Sequence, residues 1–437
     1  MRYHIWTEGC QMNVADSSRL SRALESLGLS AALDASQADL IILNTCVVRQ
    51  SAEDRALGRL NSLRPLKATN PNLIIGLMGC LIGIHGNNAL EKRFPWVDVF
   101  AAPSDPEPFL RFLEDRLQQD GSEAWRRQVD EVLDDEFGLE LKGDHTVSEN
   151  LPIVLGCSHA CTYCVIPSKR GKERSRDPQR ILREAQSLVG GGAKELVLLG
   201  QIVDRFGLDL EGKYHLPQLL ADLSEIPNLL RLRFLTSHPN WMSLDLIDAV
   251  ASLPKVMPHI EVPLQAGDDD VLLMMRRGYT NSQYRDLVSQ IRDRVPGVSI
   301  GTDIIVGFPG ESETAFMHTY DTLADLKLDV AHLARYSPRP GTYSTRYLPD
   351  DVPADEKMRR FRALEDLQKE VVGNLNAAYQ GKTLPVLFEG KSKNRWRGRT
   401  PTNRLVFVET EQDLLGQERD VRINWTGPWS LLGDLLD

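Results

Sequence analysis

The sequence lacks any uninterrupted apolar run of about 20 residues, which excludes a helix that spans a membrane. Its first residues, MRYHIWTEGC, lack a basic flank followed by an apolar core, so we expect no secretory signal. We therefore expect a cytoplasmic protein, in which thiols stay reduced. The chain has only six cysteines in 437 residues, and these are expected to be core residues, metal ligands or catalytic groups rather than disulfides.

The chain also lacks an overall excess of positive charge, since its formal net charge is −10. On its own, this charge argues weakly against a nucleic-acid partner. One stretch is basic although the whole chain is acidic. Residues 382–404 contain seven cations and one anion, Glu389, for a net charge of +6. The length predicts roughly two or three domains, and the composition is ordinary for a globular protein.

Residues 1–120 alternate between strand and helix patterns. The segments YHIWT, DLIILNTC, NLIIGLMGC and VDVFAAP are typical of strands, whereas DSSRLSRALESLGL and SAEDRALGRLNSL are typical of helices. Because the strands include continuous apolar runs, the pattern predicts an open, mostly parallel α/β sheet.

Cysteines follow the ends of three of these strands. They are Cys10, Cys46 and Cys80, referred to below as the N-terminal cysteine set. Ligands of open α/β sheets bind outside the carboxyl ends of the strands, so three such ends can bring three thiols to one place. The alternative is three separate core residues, because free cysteine is often buried.

The remainder of the chain divides into three segments. Residues 121–146 are acidic and are interpreted as a linker with one short helix. Residues 147–375 repeat a strand–helix pattern about six times, which predicts a partial (β/α)6 barrel with its active site on strand-end loops. Residues 376–437 contain LPVLFEG, RLVFVET and ERDVRINWTG, alternating segments separated by turn residues that predict a small all-β barrel.

The stretch GCSHACTYCVIP holds three further cysteines, Cys157, Cys161 and Cys164, referred to below as the loop cysteine set. A structural zinc site needs four ligands, usually from two Cys-x₂-Cys pairs, and the sequence has no second pair. His159 lies inside the loop and is expected to be a hydrogen-bonded loop residue. Iron–sulfur clusters are normally held by four thiolates, so three thiolates on a four-iron cluster leave one iron open to a reactant.

The segment CSHACTYC resembles the signature of the radical S-adenosylmethionine (SAM) superfamily. The resemblance extends over essentially the whole chain to the methylthiotransferases, through TEGCQMNVADS, NTCVVRQSAEDRALGRL, MGC, RGKERSR, LLGQ, TSHP, DIIVGFPGE and YSPRPGT. It implies an N-terminal cluster domain, a radical SAM partial barrel and a C-terminal β domain called TRAM. It also implies two [4Fe–4S] clusters, one on each cysteine set, with SAM as both methyl donor and radical source.

By the same resemblance, further residues are expected around SAM or the substrate. They are Tyr163 near the adenine, Gly200 and Gln201 at the SAM amino group, Thr236, Ser237 and His238 near the ribose or substrate, Ile304 and Val306 beside the adenine, and Arg335 near an anionic group of SAM or RNA. The alternatives are loop packing, strand-end capping, plain core and a structural ion pair.

Methylthiotransferases form three branches. GCQMNVADS and NTCVVRQSAEDR resemble the branch that modifies C2 of isopentenylated adenosine next to the tRNA anticodon. Four residues depart from that pattern: Ile202 and Asp204 in GQIVDRFG, and Ala266 and Asp268 in QAGDD. Two other substrates therefore stay open, threonylcarbamoylated adenosine in tRNA and an aspartate of a ribosomal protein. From a different class, a non-catalytic metal-containing RNA-binding protein stays open as well.

The resemblance also implies the partners and the chemistry. The C2–H bond of adenine offers no acidic proton to a side-chain base, so a radical replaces ordinary acid–base catalysis. The implied partners are the tRNA anticodon stem-loop, a low-potential electron donor and a sulfur donor. The chain is expected to act as a monomer and away from membranes.

The basic stretch near the C-terminus is the predicted RNA contact. A tryptophan between arginines suits phosphate pairing together with stacking on an unpaired base. The alternative is a solvated charged loop. The candidate RNA contacts are Lys391, Lys393, Arg395, Trp396, Arg397, Arg399 and Arg404.

Overall fold

The computed structural model describes residues 1–117, 123–134, 146–212 and 214–436. The chain divides into two compact units. The first unit comprises residues 1–144, 150–160 and 164–191, and the second comprises residues 145–149, 161–163 and 192–437.

The first unit is built on a parallel five-stranded sheet. Its strands are β1 (Arg2–Thr7), β2 (Ser30–Ala31), β3 (Leu40–Thr45), β4 (Ile74–Gly79) and β5 (Val99–Ala101), in the order β2-β1-β3-β4-β5. Every residue of β3 and β4 is buried, as expected for strands that are covered on both faces. The open parallel sheet predicted from the sequence is therefore confirmed.

Helices pack on both faces of this sheet. They are α1 (Gln11–Ser26), α2 (Gln50–Thr69), α3 (Asn88–Arg93), α4 (Glu107–Leu117) and α5 (Glu123–Asp134). Successive residues of β3 point to opposite faces, so Ile42 belongs to the apolar cluster that contains Leu24 of α1, whereas Leu43 belongs to the cluster that contains Leu60 of α2.

The helix α5 lies in the segment interpreted as an acidic linker. Its residues Val129 and Val132 are buried in the same apolar cluster as Leu24 and Leu113. The apolar side of this amphipathic helix therefore completes the core of the first unit. The described part of the segment consequently packs as a structural element and is more than a connection.

The first unit also contains the start of the cysteine loop. β6 (Ser148–Pro152) begins in the second unit and ends in the first. β7 (Val154–Leu155) follows it directly and pairs antiparallel with β8 (Arg174–Ser175). Two helices flank β8, namely α6 (Ile166–Arg170) and α7 (Pro178–Gly190).

The second unit contains two short sheets in the β/α region. β9 (Glu195–Leu199) and β10 (Arg231–Phe234) pair in parallel and form a sheet in the order β10-β9-β6. β11 (His259–Glu261), β12 (Ser299–Val306) and β13 (Val330–Arg335) form a second parallel sheet. The strands of these two sheets are the six that the repeated pattern predicts for a partial barrel.

Helices alternate with these strands. They are α8 (Leu216–Ser224), α9 (Leu244–Ser252), α10 (Asp269–Met274), α11 (Asn281–Arg294), α12 (Glu313–Leu326), α13 (Tyr343–Tyr347) and α14 (Ala354–Ala377). The start of α11 is fixed by a capping box between Thr280 and Gln283. In the described part of the chain, no helix combines the length and apolar composition that a bilayer crossing requires.

The C-terminal residues form a closed five-stranded barrel. Its strands are β14 (Thr383–Ser392), β15 (Arg395–Arg399), β16 (Leu405–Val408), β17 (Glu418–Thr426) and β18 (Leu431–Leu435), in the order β14-β15-β16-β18-β17. The predicted barrel is confirmed, although the sequence patterns identified only β14, β16 and β17. β14 and β15 are joined by Lys393 and Asn394, whose φ angles of +49° and +64° are those of a tight hairpin turn.

Two buried arginines of β10 hold the small barrel against the β/α region of the second unit. Arg231 forms an ion pair with Glu418 of β17. Arg233 pairs with Glu195 of β9 at 2.8 Å and donates to the carbonyl of Thr400 at 2.8 Å. The barrel position therefore depends on two arginines that have little access to water.

Replacing Arg233 by methionine should destabilise the second unit, because Glu195 would remain as a buried charge without its counter-ion. We expect the free energy of unfolding to fall by about 3–5 kcal/mol. Adding Glu195→Gln should recover part of that loss. Urea unfolding followed by tryptophan fluorescence measures both effects, and an equal loss in the single and double variants would contradict the assignment of the cost to the unpaired charge.

Candidate functional site

The N-terminal cysteine set lies at one edge of the parallel sheet. Cys10 is the N-cap residue of α1, just beyond β1, while Cys46 and Cys80 directly follow β3 and β4. The Cys80 N–H donates to the carbonyl of Thr45, the residue before Cys46, at 2.9 Å, and Gly9, the residue before Cys10, packs against Cys46. The structure therefore brings together the three side chains that the sequence predicts to meet.

Two glycines allow this close approach. Gly9 has a φ of +146°, and a Cβ atom there would lie 2.9 Å from the Cβ of Cys46. Gly79 has a φ of +97°, and its Cβ would lie 2.5 Å from the carbonyl oxygen of Thr45. Only glycine tolerates both the left-handed backbone and this lack of space.

The thiols of this set are shielded from water to different degrees. Burial raises the pKa of Cys80 to about 11, while the nearby Arg170 guanidinium acts in the opposite direction. Burial also raises the pKa of Cys46, although its sulfur accepts a hydrogen bond from the Val48 N–H at 3.4 Å. A group that binds here must therefore compensate the loss of hydration of the thiolates.

The arrangement does not match a site for one metal ion. Among the described residues, no group of three or more His, Cys, Asp or Glu side chains has the geometry of such a site. A cluster of four irons is larger than a single tetrahedral ion and keeps its thiolates farther apart. Three thiols without a fourth do not complete a structural zinc site, whereas three thiolates on a four-iron cluster leave one iron open.

The loop cysteine set is held by backbone contacts. In the first unit, the Cys157 N–H donates to the carbonyl of Gly171 at 3.0 Å, and the preceding Gly156 has a φ of +70° with no space for a Cβ. In the second unit, Thr162 donates to the carbonyl of Met275 through its N–H at 3.2 Å. These contacts fix the loop backbone on both sides of its cysteines.

A buried arginine contacts the loop cysteine of the second unit. Arg277 donates from Nη1 to the Cys161 sulfur at 3.3 Å and from Nε to the Tyr279 hydroxyl at 3.0 Å. Tyr279 donates in turn to the carbonyl of Leu264 at 2.7 Å. Burial alone would lower the pKa of Arg277, but Tyr163, Tyr279 and Cys161 raise it above its ordinary value. Sequence reasoning missed Arg277, because a contact between residues 116 positions apart leaves no local pattern.

Strand-end loops of the second unit interlock beside this arginine. The N–H of His238 donates to Asp204 at 3.0 Å, and the N–H of Val203 donates to the carbonyl of Thr236 at 3.0 Å. The rings of His238 and Tyr279 lie 5.5 Å apart. The loop after β9, which begins at Gly200 and Gln201, is thereby joined to the loop after β10.

One residue on the loop after β10 and one on the loop after β11 have strained backbones. Thr236 has a φ of +68° and Gln265 a φ of +74°, which is unusual for residues that carry a Cβ. The side-chain oxygen of Gln265 and the hydroxyl of Ser237 are buried, and neither has a hydrogen-bond partner among the described residues. Strain and unsatisfied polar atoms concentrate at functional sites, so Gln265 is a candidate that sequence reasoning missed.

The predicted adenine contacts Ile304 and Val306 are on the wrong face of β12. Thr302 shares their face, and its hydroxyl lies 3.2 Å from that of Tyr284 on α11. Ile304 and Val306 are fully buried on this helix side and belong to the core. The half-buried Ile305 occupies the opposite face, a difference of one residue in register.

Two other residues predicted to contact SAM, Tyr163 and Arg335, lie in the second unit. Tyr163 is half-buried, and its ring packs edge-on against Phe308 at 6.3 Å. Arg335 is the last residue of β13 and is exposed. Both positions remain accessible to a ligand of the second unit.

The basic stretch forms strand β15 instead of a loop. Arg395, Arg397 and Arg399 point outward, since they alternate with Trp396 and a buried glycine. Trp396 is only 5% exposed and packs inside the barrel. The predicted stacking of a base on Trp396 is therefore wrong.

The outward arginines have carboxylate neighbours. Arg395 pairs with Glu409 at 2.5 Å, and Arg397 and Arg399 approach Glu389 at 4.0 and 3.6 Å. These pairs are partly exposed, so phosphate groups can compete for the arginines at little cost.

Arg404 does not share this surface. It pairs with Asp329 and donates to the side-chain oxygen of Asn376, which fixes the barrel to β13 and α14. The prediction of an RNA contact at Arg404 is corrected to a structural ion pair. Lys391 and Lys393 are exposed, as an RNA contact requires.

The four residues that depart from the branch pattern mainly stabilise the protein structure. Ile202 and Ala266 are buried. Asp268 is the N-cap residue of α10 and accepts from the N–H of Val271 at 3.1 Å, and Asp204 accepts from the His238 N–H. The loops that carry them are therefore stabilised from within by these side chains.

Comparisons with known proteins match the three parts of the chain. Residues 2–102 match the Uncharacterized protein family UPF0004, residues 151–323 the Radical SAM superfamily and residues 377–436 the TRAM domain. A tRNA-2-methylthio-N(6)-dimethylallyladenosine synthase of Dehalococcoides mccartyi (strain CBDB1) is 46% identical over 100% of this chain and 98% of its own length. The synthase of the same name from Roseiflexus sp. (strain RS-1) is 45% identical over 99% of this chain and 89% of its own length.

A solved structure resembles the fold. The radical S-adenosylmethionine methyltransferase TsrM from Kitasatospora setae aligns with a TM-score of 0.55 over 79% of this chain and 77% of its own. The identity is 15%, so the likeness concerns the fold alone.

The two cysteine sets should be separable by mutation. Replacing the loop cysteine set by alanine should remove about half of the bound iron and abolish reductive cleavage of SAM. Replacing the N-terminal cysteine set should remove the other half and leave that cleavage measurable. Iron analysis and 5′-deoxyadenosine formation after anaerobic reconstitution provide the measurements, and full methylthio transfer by the second variant would exclude a role for the N-terminal set in carrying sulfur.

Proposed function

The chain belongs to the family of tRNA-2-methylthio-N(6)-dimethylallyladenosine synthases, and from that premise we propose which of its residues perform the reaction. It is a radical SAM methylthiotransferase that converts N6-dimethylallyladenosine in tRNA to the 2-methylthio nucleoside. The observation that carries this function is the identity of 45% to a curated relative over 99% of the chain.

The family uses SAM and [4Fe–4S] clusters, and two clusters fit the two cysteine sets of this chain. When bound, these groups supply the electron that cleaves SAM, the radical that removes hydrogen from C2 of the adenine, and the sulfur that the carbon receives. We assign the SAM-binding cluster to the loop cysteine set and the sulfur-carrying cluster to the N-terminal set. The second assignment is supported by the convergence of three thiols at the edge of the first unit's sheet.

The chain's own residues orient the loop cysteines and the substrate. Arg277 holds the Cys161 sulfur and is itself held by Tyr279, so this ligand has a fixed position. We propose that Tyr163, Gly200 and Gln201 contact SAM from the loops around it. Preorganised side chains of this kind lower the cost of placing the reacting carbon close to the radical.

The strained residues are proposed as substrate contacts. Thr236 and Gln265 lie on the loops after β10 and β11, and Ser237, next to Thr236 in sequence, has a buried hydroxyl. An adenine offers ring nitrogens and an exocyclic N–H that can satisfy such groups. This role extends the prediction for Thr236 and Ser237 and adds Gln265.

The tRNA is proposed to bind through the outward face of β15 and its turn. Lys391, Lys393 and the three outward arginines supply phosphate contacts, while the rest of the chain is acidic. The part of the tRNA is proposed to be the anticodon stem-loop, whose unpaired adenosine next to the anticodon is the substrate. A low-potential electron donor, a sulfur donor, action as a monomer and a cytoplasmic location complete the proposal.

Cells that lack the protein should accumulate N6-isopentenyladenosine in tRNA without the 2-methylthio group. The cloned gene should restore the modified nucleoside, because the matched relatives are synthases of this nucleoside. Mass spectrometry of nucleoside digests measures both species. Restoration of only the threonylcarbamoyl product would instead assign the chain to the second branch, and a methylthiolated ribosomal protein would assign it to the third.

Removing the outward arginines should weaken tRNA binding and its salt dependence. For Arg395→Ala combined with Arg397→Ala and Arg399→Ala, we expect the slope of log Kd against log salt to fall by about two units, at roughly 0.7 to 0.9 per lost phosphate contact. Filter binding at several salt concentrations measures this slope. Cleavage of SAM without RNA should stay unchanged.

A matched control removes the same charge from another surface. Arg285, Arg294 and Arg359 are partly exposed arginines that pair with Asp325, Asp248 and Glu313 on the helices of the second unit. Their triple alanine variant should keep the wild-type affinity and slope. If both triple variants change the slope equally, tRNA responds to net charge and the face of β15 is not the binding surface.

A further inference from the structure

A buried arginine at the end of α6 lies next to the N-terminal cysteine set. Arg170 follows the last loop cysteine by six residues, yet its side chain lies in the core of the first unit with 2% exposure. It pairs with Asp16 of α1 at 3.1 Å and donates to the Ser104 hydroxyl at 3.2 Å. A buried guanidinium is costly, so its position calls for a reason beyond packing.

The thiols provide that reason. The guanidinium of Arg170 is close enough to Cys10, Cys46 and Cys80 to act on all three electrostatically. Asn13 joins the groups, since its side-chain oxygen lies 3.3 Å from both the Cys10 sulfur and Nη2 of Arg170. Arg170 is therefore part of the surroundings of all three sulfurs.

One donor of this arginine is unused. The described hydrogen bonds of Arg170 to oxygen atoms start from Nη1 and Nη2, and its buried Nε has no partner among the described residues. Leaving a buried N–H unsatisfied costs free energy. A sulfur or thiolate acceptor at the cysteines would satisfy it.

We propose that Arg170 is a positioning residue whose charge, balanced by Asp16, compensates the negative charge of the three thiolates and favours an anionic sulfur ligand at the position they leave open. This inference rests on the proposed function, which assigns a four-iron cluster to the N-terminal set. Hydrogen bonds and charges next to a cluster set its reduction potential and ligand affinity.

Removing either charge of the Arg170–Asp16 pair should change the reduction potential of the cluster, in opposite directions. Without Arg170, an added electron meets an uncompensated negative charge, so the cluster becomes harder to reduce. Without the charge of Asp16, the arginine is no longer neutralised and the cluster becomes easier to reduce. Both effects follow from Coulomb interaction at short distance, because Arg170, Cys46 and Cys80 are buried.

The test uses the full chain with the loop cysteine set replaced by alanine, so that only the N-terminal set binds iron. Arg170→Met, Arg170→Lys and Asp16→Asn are compared in this background after anaerobic reconstitution. The measurements are iron and sulfide per chain, the midpoint potential from a dithionite titration followed by electron paramagnetic resonance, and the affinity for methanethiolate.

We expect Arg170→Met to shift the midpoint potential to a more negative value and to weaken methanethiolate binding about tenfold or more. Arg170→Lys should restore most of both properties, because it keeps the charge. Asp16→Asn should shift the potential to a more positive value. Arg22→Met is the matched control, since Arg22 pairs with Glu184 at 3.0 Å in the same unit, and it should leave the potential unchanged.

Other outcomes overturn the inference. Equal potentials in Arg170→Met and its parent, or shifts of the same sign in Arg170→Met and Asp16→Asn, would show that Arg170 acts only in packing. Loss of iron in Arg170→Met that Arg170→Lys does not restore would show the same. Absence of iron from the parent variant itself would instead refute the assignment of a cluster to the N-terminal set.

Discussion

Thiolates that hold a cluster must be gathered in one place without leaving their negative charge uncompensated. The first unit satisfies this constraint with a parallel sheet, whose carboxyl edge collects three cysteines, and with the buried Arg170 beside them. The second unit places the buried Arg277 on Cys161. A buried charge without a partner costs several kcal/mol, so we expect each arginine to stabilise the thiolates beside it.

Rigidity follows from the same constraint. Glycines with left-handed backbones precede Cys10 and Cys80, and the loops after β9 and β10 are joined through Asp204 and His238. The small barrel is held by Arg231 and ion pairs at β10, so its basic strand keeps a defined position within the second unit. A reaction that proceeds through a radical benefits from such order, because loose groups near the reacting carbon would be attacked.

Local patterns predicted the parallel sheet, the six barrel strands and the C-terminal barrel, because each depends on short-range periodicity. They failed where tertiary context decides. The sequence pattern places Ile304 and Val306 one residue out of register. It also conceals the burial of Trp396, because the neighbouring arginines hide the alternation of a strand. Arg170 and Arg277 reach their sulfurs across long sequence separations that no local pattern encodes.

Mössbauer spectroscopy of the full chain, reconstituted with ⁵⁷Fe, tests most directly whether both cysteine sets hold clusters with an open position. Two four-iron clusters predict about eight irons per chain. Addition of SAM should then change the signal of about one iron, the open iron of one cluster. Only about four irons, or a spectrum that SAM leaves unchanged, would contradict the central claim.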